Sequence, residues 1–388
     1  MTTILAIVAA VVLAFLGAQL YRWRQAPAWL EDIIFSGLPF FLVGWLFGPR
    51  RFGLIDDTDL AGLGVVVNLA IGWVGFLFGL QFDRHTVRRL PPRHLLATTT
   101  EAAVTLGVVV ACMWVFIRAG DPCLPAGWLA LLLGVVALPS APALVALALR
   151  RGGDNEDRKR ALLTMASLDG LPAVVLLALL LCFAPGPALL GPGTMLALIL
   201  GLGLASGVLL QLLTLPRTTD NELVIILLGL VLFAGGAASL LALSPLLVNL
   251  LAGLVVALRS PNLNRIRGAM IRLEKPVFLI MMTLAGAMWS LPLAAIGLVP
   301  LFVLVRLAGK LAAGALAGRL LVPAAPASLG GGLVPHGALA MALALSVQGQ
   351  VPRAAAGLVL SAVVAGMLAS AALGRATSRW ALDEEMGR

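Results

Sequence analysis

The sequence predicts an all-α polytopic membrane protein with about thirteen transmembrane helices. Three observations support this fold class. First, 61% of the 388 residues are hydrophobic and only 12% are charged, which is not the composition of a soluble domain. Second, apolar stretches long enough to cross a bilayer follow one another along the chain. Third, the basic residues are distributed unequally between alternate connections.

The apolar stretches are separated by short polar connections or by connections rich in Gly and Pro. They cover residues 3–20, 31–48, 59–81, 96–118, 126–149, 161–184, 193–214, 222–241, 243–258, 275–291, 293–320, 328–349 and 353–374. The connections near residues 242 and 292 are the shortest, so these are the places where two neighbouring spans could instead form one continuous helix. No basic segment precedes the first span, and no cleavage-site pattern leads into a soluble domain, so we interpret it as a retained helix.

The positions of the positive charges predict the topology. Of the 27 Lys and Arg residues, 21 follow odd-numbered spans or lie in the tail, and four follow even-numbered spans. The positive-inside rule then places the N-terminus outside and the C-terminus in the cytoplasm, with the protein in the plasma (inner) membrane. The net charge of +9 therefore reflects topological anchors, and no nucleic-acid partner is predicted. The three cysteines have neither metal-ligand nor disulfide spacing, and no cofactor is predicted.

Two spans contain internal interruptions. In span five, Pro139 and Pro142 flank Ser140, and span twelve contains Pro335, His336 and Gly337. Proline removes a backbone donor, and the carbonyl groups that it frees are tolerated at membrane depth only beside protein or water. The interruptions are therefore either ordinary kinks of membrane helices or parts of a binding site.

The order of the spans favours a binding site. Without span one, spans two to six and nine to thirteen form two oppositely oriented five-helix sets, and the interrupted helix is the fourth in each. Matching breaks in inverted repeats indicate the binding site of a transporter. We expect one transmembrane domain, made of an extra helix (1–20), a first repeat (31–184), linking helices (193–241), a second repeat (243–374) and a cytoplasmic tail (375–388).

Charged residues inside two of these spans lie at a depth similar to that of Ser140 and His336 in the two interrupted spans. Asp169 is about 12 Å from the charged end of span six, which is near the middle of the hydrocarbon core. A carboxylate there costs roughly 2.5 kcal/mol or more, so it either functions or is buried in a helix contact. Arg306 and Lys310 share one face of span eleven. Ser140 and His336 lie about 14 Å and 12 Å from the inner ends of their spans.

These residue types suit the exchange of an alkali cation for a proton. Asp169, Ser140 and the freed carbonyl groups of span five would provide the oxygen ligands, and a proton would compete for the same carboxylate. Lys310 or Arg306 would neutralise the carboxylate in the absence of a cation. Because arginine stays charged, Arg306 suits a structural clamp, whereas Lys310 can lose its proton and join the proton cycle.

Four further polar residues have two interpretations each. Glu101, near the start of span four, either lines a cytoplasmic funnel or extends toward the membrane surface. His336 is either a pH-sensing ligand or a structural histidine. Asn68 and Asn249 are more simply explained by hydrogen bonds between helices than by ion binding.

Several segments resemble the monovalent cation:proton antiporter superfamily, of the sodium/hydrogen exchanger type. They occur in the family's order over roughly residues 30–375 and read GLPFFLVGWLFGPRRFGLI (37–55), LAGLGVVVNLAIGWVGFLFGLQFD (60–83), LPSAPAL, SLDGLPAVVLLAL, VRLAGKL and LVPHGALAMALAL. The resemblance implies a thirteen-helix fold with two crossed, partly unwound helices. It also implies a dimer whose core domain moves against a dimerisation domain. Asp169 matches the family's ion-binding aspartate, and Lys310 matches its basic residue on the core helix.

The sequence departs from the family at Leu168, where many members have Asp, Asn or Gln. With a single carboxylate, the resemblance implies electroneutral exchange. The short tail also lacks the nucleotide-binding domain of some potassium-type relatives. We therefore predict a secondary antiporter of Na⁺ or K⁺ against H⁺, not an enzyme, that forms a homodimer in membrane lipid. The alternatives are a sodium-coupled symporter of an organic solute and a membrane sensor or scaffold without transport.

Overall fold

The computed structural model describes residues 33–119, 125–149, 156–184, 190–214, 218–292, 295–321 and 327–382. Throughout these ranges the regular secondary structure is helical and includes no strand, as predicted. The predicted first helix, 3–20, and the end of the predicted tail, 383–388, lie outside the described residues.

The helices begin and end as follows. In chain order they are α1 (Leu38–Phe47), α2 (Asp57–Gly62), α3 (Gly64–Leu80), α4 (Arg84–Arg89), α5 (Pro92–Ile117), α6 (Ala126–Ala137), α7 (Pro142–Leu149), α8 (Glu156–Leu168), α9 (Gly170–Cys182), α10 (Pro192–Thr214), α11 (Asp220–Leu240), α12 (Pro245–Arg259), α13 (Leu263–Met288), α14 (Ala295–Leu321), α15 (Ala338–Ser346) and α16 (Arg353–Leu382). A 3-10 segment, Ala327–Leu333, lies between α14 and α15.

Seven segments of the described chain are long and apolar enough to cross a membrane, which identifies an integral membrane protein. They are Pro92–Ile117, Ala126–Leu149, Lys159–Cys182, Pro192–Thr214, Asp220–Leu240, Ala295–Leu320 and Arg353–Gly374. Three apolar helices, α1, α3 and α12, are shorter. The total of thirteen spans and the inverted repeats stay predictions.

The chain forms two compact units. The first unit comprises Met1–Arg89, Ala178–Trp289 and Leu345–Gln350, and the second comprises Leu90–Leu177, Ser290–Ala344 and Val351–Arg388. Each unit therefore combines segments from both halves of the sequence. All the charged residues proposed above for ion binding belong to the second unit.

In the first unit, two helix pairs approach closely at glycines. Gly44 and Gly286 lie at the contact between α1 and α13, and Gly75, Gly79 and Gly253 lie at the contact between α3 and α12. A Cβ atom added at any of these glycines would overlap the backbone of the partner helix. Small residues allow this backbone contact, which is how helices gain packing energy where the surroundings are as apolar as the side chains.

An ion pair connects α13 to the end of α3. Arg267 donates to Asp83 Oδ2 over 2.9 Å and to the Leu80 carbonyl over 2.8 Å. Partial burial raises the pKa of Asp83, but hydrogen bonds from the Thr86 amide and from Arg267 outweigh it, so this pKa lies below its usual value. The pair is therefore charged at neutral pH.

The structure differs from the sequence prediction at the start of span ten. Residues 263–274, which we expected to form a basic connection, are the first turns of α13. Ile266, Ala269 and Met270 are buried on one face of this helix, while the arginines occupy other positions. This spacing is that of an amphipathic helix, so the high charge of the segment concealed a helical period.

The second unit contains α5–α8, α14, the 3-10 segment, α16 and most of α9 and α15. Here α14 packs along α5, and the 3-10 segment packs against α14 and α16. Helical structure is interrupted at residues 138–141, at Asp169 and at residues 334–337. The first and third interruptions were predicted from their prolines, and the interruption at Asp169 was not.

Candidate functional site

The two predicted interruptions contact each other. The Ala141 amide donates to the Pro335 carbonyl over 2.8 Å. Gly337 lies beside Ala141, and a Cβ atom on Gly337 would stand 2.7 Å from that of the alanine. In a regular helix the Ala141 amide would instead donate to the carbonyl of Ala137, four residues earlier. The contact between the interruptions therefore leaves the Ala137 carbonyl without its helical donor.

Arg306 of α14 replaces the missing backbone donors at both interruptions. Its guanidinium donates to the Ala137 carbonyl over 3.1 Å, to the Val334 carbonyl over 2.8 Å and to the Pro139 carbonyl over 3.4 Å. The side chain is buried, and among the described residues it forms no ion pair with a carboxylate. The guanidinium therefore clamps the interrupted backbone, whereas we expected either it or Lys310 to neutralise Asp169.

Asp169 lies where span six is interrupted. Helix α8 ends at Leu168 and α9 begins at Gly170. Pro172 has no amide hydrogen to donate to the Leu168 carbonyl four residues earlier, which explains the break. The Asp169 side chain is fully buried, and both its oxygens accept from the Ser140 amide, over 3.0 and 3.1 Å.

Ser140 belongs to the interruption between α6 and α7, and its hydroxyl also lies against the carboxylate. Ser140 Oγ is 2.5 Å from Asp169 Oδ2 and 2.8 Å from the Leu333 carbonyl. A hydroxyl has one hydrogen, so it donates to only one of these oxygens at a time. The interruption thus presents both an amide and a hydroxyl to the same buried carboxylate.

Lys310 contacts four oxygen atoms and is itself fully buried. Its Nζ lies 3.1 Å from Asp169 Oδ2, 3.2 Å from Ser140 Oγ and 2.9 Å from Glu101 Oε1, and it also donates to the Leu138 carbonyl. Pro142 explains the last contact, because it cannot donate to the carbonyl of Leu138 four residues earlier. Lys310 therefore occupies a position surrounded by oxygens from three segments.

Glu101 of α5 is one of the residues that contact Lys310, and the sequence did not reveal this contact. Its side chain has no exposed surface, so it does not extend toward the membrane surface, which was one of the two interpretations considered. Thr105 Oγ1 donates to Oε1 over 2.9 Å, and Oε2 has no hydrogen-bond partner in the described structure. We refer to Glu101, Asp169, Arg306 and Lys310 as the buried charged cluster. It contains two acids and two bases.

The contacts of His336 favour its structural interpretation. Its Nε2 lies 2.9 Å from the Val136 carbonyl, and its amide donates to Ser370 Oγ over 3.0 Å. A carbonyl oxygen can only accept, so Nε2 carries the hydrogen in this contact. The ring is fully buried and fastens the interruption at residues 334–337 to the end of α6.

Asn68 and Asn249 belong to the first unit, whereas the buried charged cluster belongs to the second. Asn249 Nδ2 donates to the Pro245 carbonyl of its own helix over 3.0 Å. This bond therefore lies within one helix, whereas we predicted a bond between helices. Asn68 lies on α3. In the ranges that the structure describes, no three His, Cys, Asp or Glu side chains form a group able to hold a metal ion.

Comparisons with known proteins give a family for the sequence and similar solved structures for the fold. The family model described as sodium/hydrogen exchanger, transmembrane, matches residues 10–377. A structure of the sodium proton antiporter MjNhaP1 from Methanocaldococcus jannaschii at pH 8 is similar to this fold, with a TM-score of 0.66 and 16% identity over 99% of this chain and 100% of that one. An electron-microscopy structure of the same antiporter gives a TM-score of 0.64 and 14% identity over 97% of both chains. No curated protein sequence matches this one.

Proposed function

Because this chain belongs to the sodium/hydrogen exchanger transmembrane family, we propose that it exchanges Na⁺ or K⁺ for H⁺, with Asp169 as the site that both ions share. One observation carries the proposal. A fully buried carboxylate lies at a helix break and contacts the Ser140 hydroxyl. It shares the Lys310 ammonium with the Leu138 carbonyl, which the neighbouring interruption has freed from helical hydrogen bonding. A merely structural aspartate would not need an interrupted helix beside it.

The oxygens around Lys310 Nζ form a ligand set for an alkali cation. Asp169 Oδ2, Ser140 Oγ and the Leu138 carbonyl all contact the ammonium, which is itself a monovalent cation. Such carboxylate, hydroxyl and carbonyl oxygens replace the hydration shell of Na⁺ or K⁺. We infer that the transported cation binds to these three oxygens once the ammonium has moved away from Asp169.

Proton coupling follows from the same carboxylate. An aspartate that carries a proton loses much of its attraction for a cation, and a bound cation disfavours protonation. Binding of the two ions is therefore mutually exclusive at Asp169. With Leu168 in place of a second polar side chain, one carboxylate would exchange one cation for one proton, and transport would be electroneutral.

Exchange also requires that the site open in turn to each side of the membrane. The buried charged cluster lies entirely within the second unit, and Arg306 binds both interruptions together, so the site can move as one body. The proposal also includes the predicted division into repeats, a homodimer in membrane lipid, a cytoplasmic C-terminus and a plasma-membrane location.

Proton movement in sealed proteoliposomes tests the function. A pH gradient is imposed, Na⁺, K⁺ or Li⁺ is added in turn, and the wild type is compared with Asp169→Asn. Asp57→Asn, which changes an exposed aspartate of α2, is the matched control. We expect cation-triggered loss of the gradient in the wild type and the control, and none in Asp169→Asn.

Other outcomes lead to different conclusions. Exchange that survives in Asp169→Asn would place the shared site elsewhere. Sodium uptake that depends on an organic solute would indicate the symporter. A folded wild-type protein that responds to no cation would indicate the sensor or scaffold.

A further inference from the structure

We propose that Glu101 is a second functional carboxylate of the exchange site, which holds the Lys310 ammonium while a cation occupies Asp169. This inference rests on the proposed antiport function. It assigns to Glu101 a role distinct from ion binding, because Glu101 would receive the displaced lysine rather than the transported ion. Glu101 is thus a positioning residue that acts through Lys310.

The geometry around Lys310 allows two positions of the ammonium. Four oxygens lie within its reach, but an ammonium has three hydrogens, so at least one acceptor is always without a hydrogen from it. Glu101 Oε1 is 2.9 Å from Nζ, and Asp169 Oδ2 is 3.1 Å away on a different segment. A small displacement of Nζ toward α5 would keep the ion pair with Glu101 and break the ion pair with Asp169.

The two carboxylates differ in the hydrogen bonds that they would keep if the lysine ammonium moved away. Asp169 keeps hydrogen bonds from the amide and the hydroxyl of Ser140. Glu101 keeps only the hydroxyl of Thr105, and its Oε2 is buried without a partner in the described structure. A buried acceptor without a donor is uncommon and calls for an explanation. Movement of the ammonium toward Glu101 would give Oε2 a donor.

The charges of the cluster support the same conclusion. With Lys310 and Arg306 charged and Glu101 ionised, a proton on Asp169 leaves one net positive charge. A monovalent cation on ionised Asp169 leaves the same net charge. The groups that face Glu101 from the helices packed on α5 are Lys310 and Arg306 of α14 and Asp169 beyond α8, whereas α6 contributes no charged residue. Without Glu101, each loaded state would bury a second positive charge, which is costly.

Replacing Glu101 by Gln should therefore weaken cation binding without abolishing exchange. Lys310 would then have Asp169 as its sole carboxylate partner in the cluster and would compete more strongly with the cation. We expect the KM for Na⁺ to rise about tenfold or more, with kcat largely retained, since the exchange carboxylate itself is intact. Glu101→Asp keeps the charge but withdraws it by one methylene, so it should give an intermediate KM.

A double-mutant cycle separates this role from a structural one. Initial exchange rates are measured against Na⁺ concentration for the wild type, Glu101→Gln, Lys310→Met and the double variant. Loss of Glu101 should raise KM about tenfold beside Lys310 but less than about twofold in the Lys310→Met background, since the two residues act on one interaction. Glu156→Gln, which removes an exposed carboxylate of α8, is the control and should keep the wild-type KM.

Cation-dependent thermal stabilisation of the purified full chain gives a second readout that does not require transport. The Na⁺ concentration for half-maximal stabilisation should rise in Glu101→Gln, and the stabilisation should be lost in Asp169→Asn. An unchanged KM in both Glu101→Gln and Glu101→Asp, or an equal effect with and without Lys310, would overturn the role of Glu101. Loss of both exchange and stabilisation in folded Glu101→Gln would also overturn it, because Glu101 would then bind the ion. Failure of the parent proposal would be recognised separately, by exchange that is absent in the wild type or survives in Asp169→Asn.

Discussion

Replacement of Arg306 by Met tests whether this guanidinium holds the two interrupted helices together. The side chain donates to carbonyl groups on both interruptions, those of Ala137, Pro139 and Val334. Methionine has a similar length and fills much of the same space but donates no hydrogen bond. The substitution therefore removes the donors while it changes the packing little.

The structure sets the size of the effect. A buried carbonyl that loses its donor costs about 1 to 3 kcal/mol, so those of Ala137 and Pro139 would together cost about 2 to 6 kcal/mol. The Val334 carbonyl would cost less, because the Ser370 hydroxyl also lies 3.3 Å from it. Removal of a buried positive charge relieves part of this cost, because that charge no longer has to be kept out of water. We expect a net loss of about 3 to 5 kcal/mol in the free energy of unfolding, as is typical when one member of a buried charged group is removed.

Unfolding by sodium dodecyl sulfate in mixed micelles, followed by tryptophan fluorescence, would measure this loss. Arg306→Lys retains the charge but lacks the planar fork of donors, so it should lie between the wild type and Arg306→Met. Arg319→Met removes an exposed arginine from the same helix and should stay within about 0.5 kcal/mol of the wild type. If Arg306→Met proved as stable as Arg319→Met, the clamp would not exist.

Three further outcomes are expected. Gly314→Ala should lower the free energy of unfolding in detergent by about 1 to 3 kcal/mol, because the added Cβ would overlap the backbone of the 3-10 segment. Gly309→Ala is the control and should leave this free energy unchanged, because its Cβ would lie 3.7 Å from the nearest atom. Ser140→Ala should raise the KM for the cation about tenfold in proteoliposomes, since one oxygen ligand is lost while the amide still holds the carboxylate; an unchanged KM would exclude the hydroxyl as a ligand. The pair of Asp83 and Arg267 should contribute about 0.5 to 1 kcal/mol above the ordinary aspartate pKa of 3.8, and this contribution should be lost as the pH falls through the lowered pKa of the carboxyl group. The stability difference between the wild type and Asp83→Asn should therefore be constant at neutral pH and should decrease as the pH falls below 3.8.

The sequence was most informative where a residue violated the rules of a membrane helix. A carboxylate and an ammonium at mid-span have no inexpensive position in lipid, so Asp169 and Lys310 could be singled out and placed at one depth. The prolines likewise located two of the three interruptions. The structure brings these residues into direct contact.

The interruption at Asp169 had a signal in the sequence that an argument from membrane depth does not use. Pro172 lies within an apolar run that is long enough to span the membrane without a break, and hydrophobicity alone gave no reason to divide it. The signal was the missing amide, which removes the bond to Leu168 and so ends α8 immediately before Asp169.

The position of Glu101 was missed because it depends on where the helix begins. The sequence placed the start of span four at residue 96, so Glu101 lay about one and a half turns inside. Helix α5 begins at Pro92, and Glu101 therefore lies about 14 Å along the helix. Which face of α5 meets Lys310 depends on packing between helices, and this cannot be read from the composition of either helix.

The glycine contacts of the first unit also limit how its helices can move. Sliding one helix along its partner would carry each glycine away from the backbone atoms that it accommodates and would bring side chains of the same helix face toward those atoms. The register between α1 and α13, and that between α3 and α12, is therefore fixed by these glycine contacts. Each pair can rotate or tilt only as a whole. Shear between its members would require a collision at every glycine.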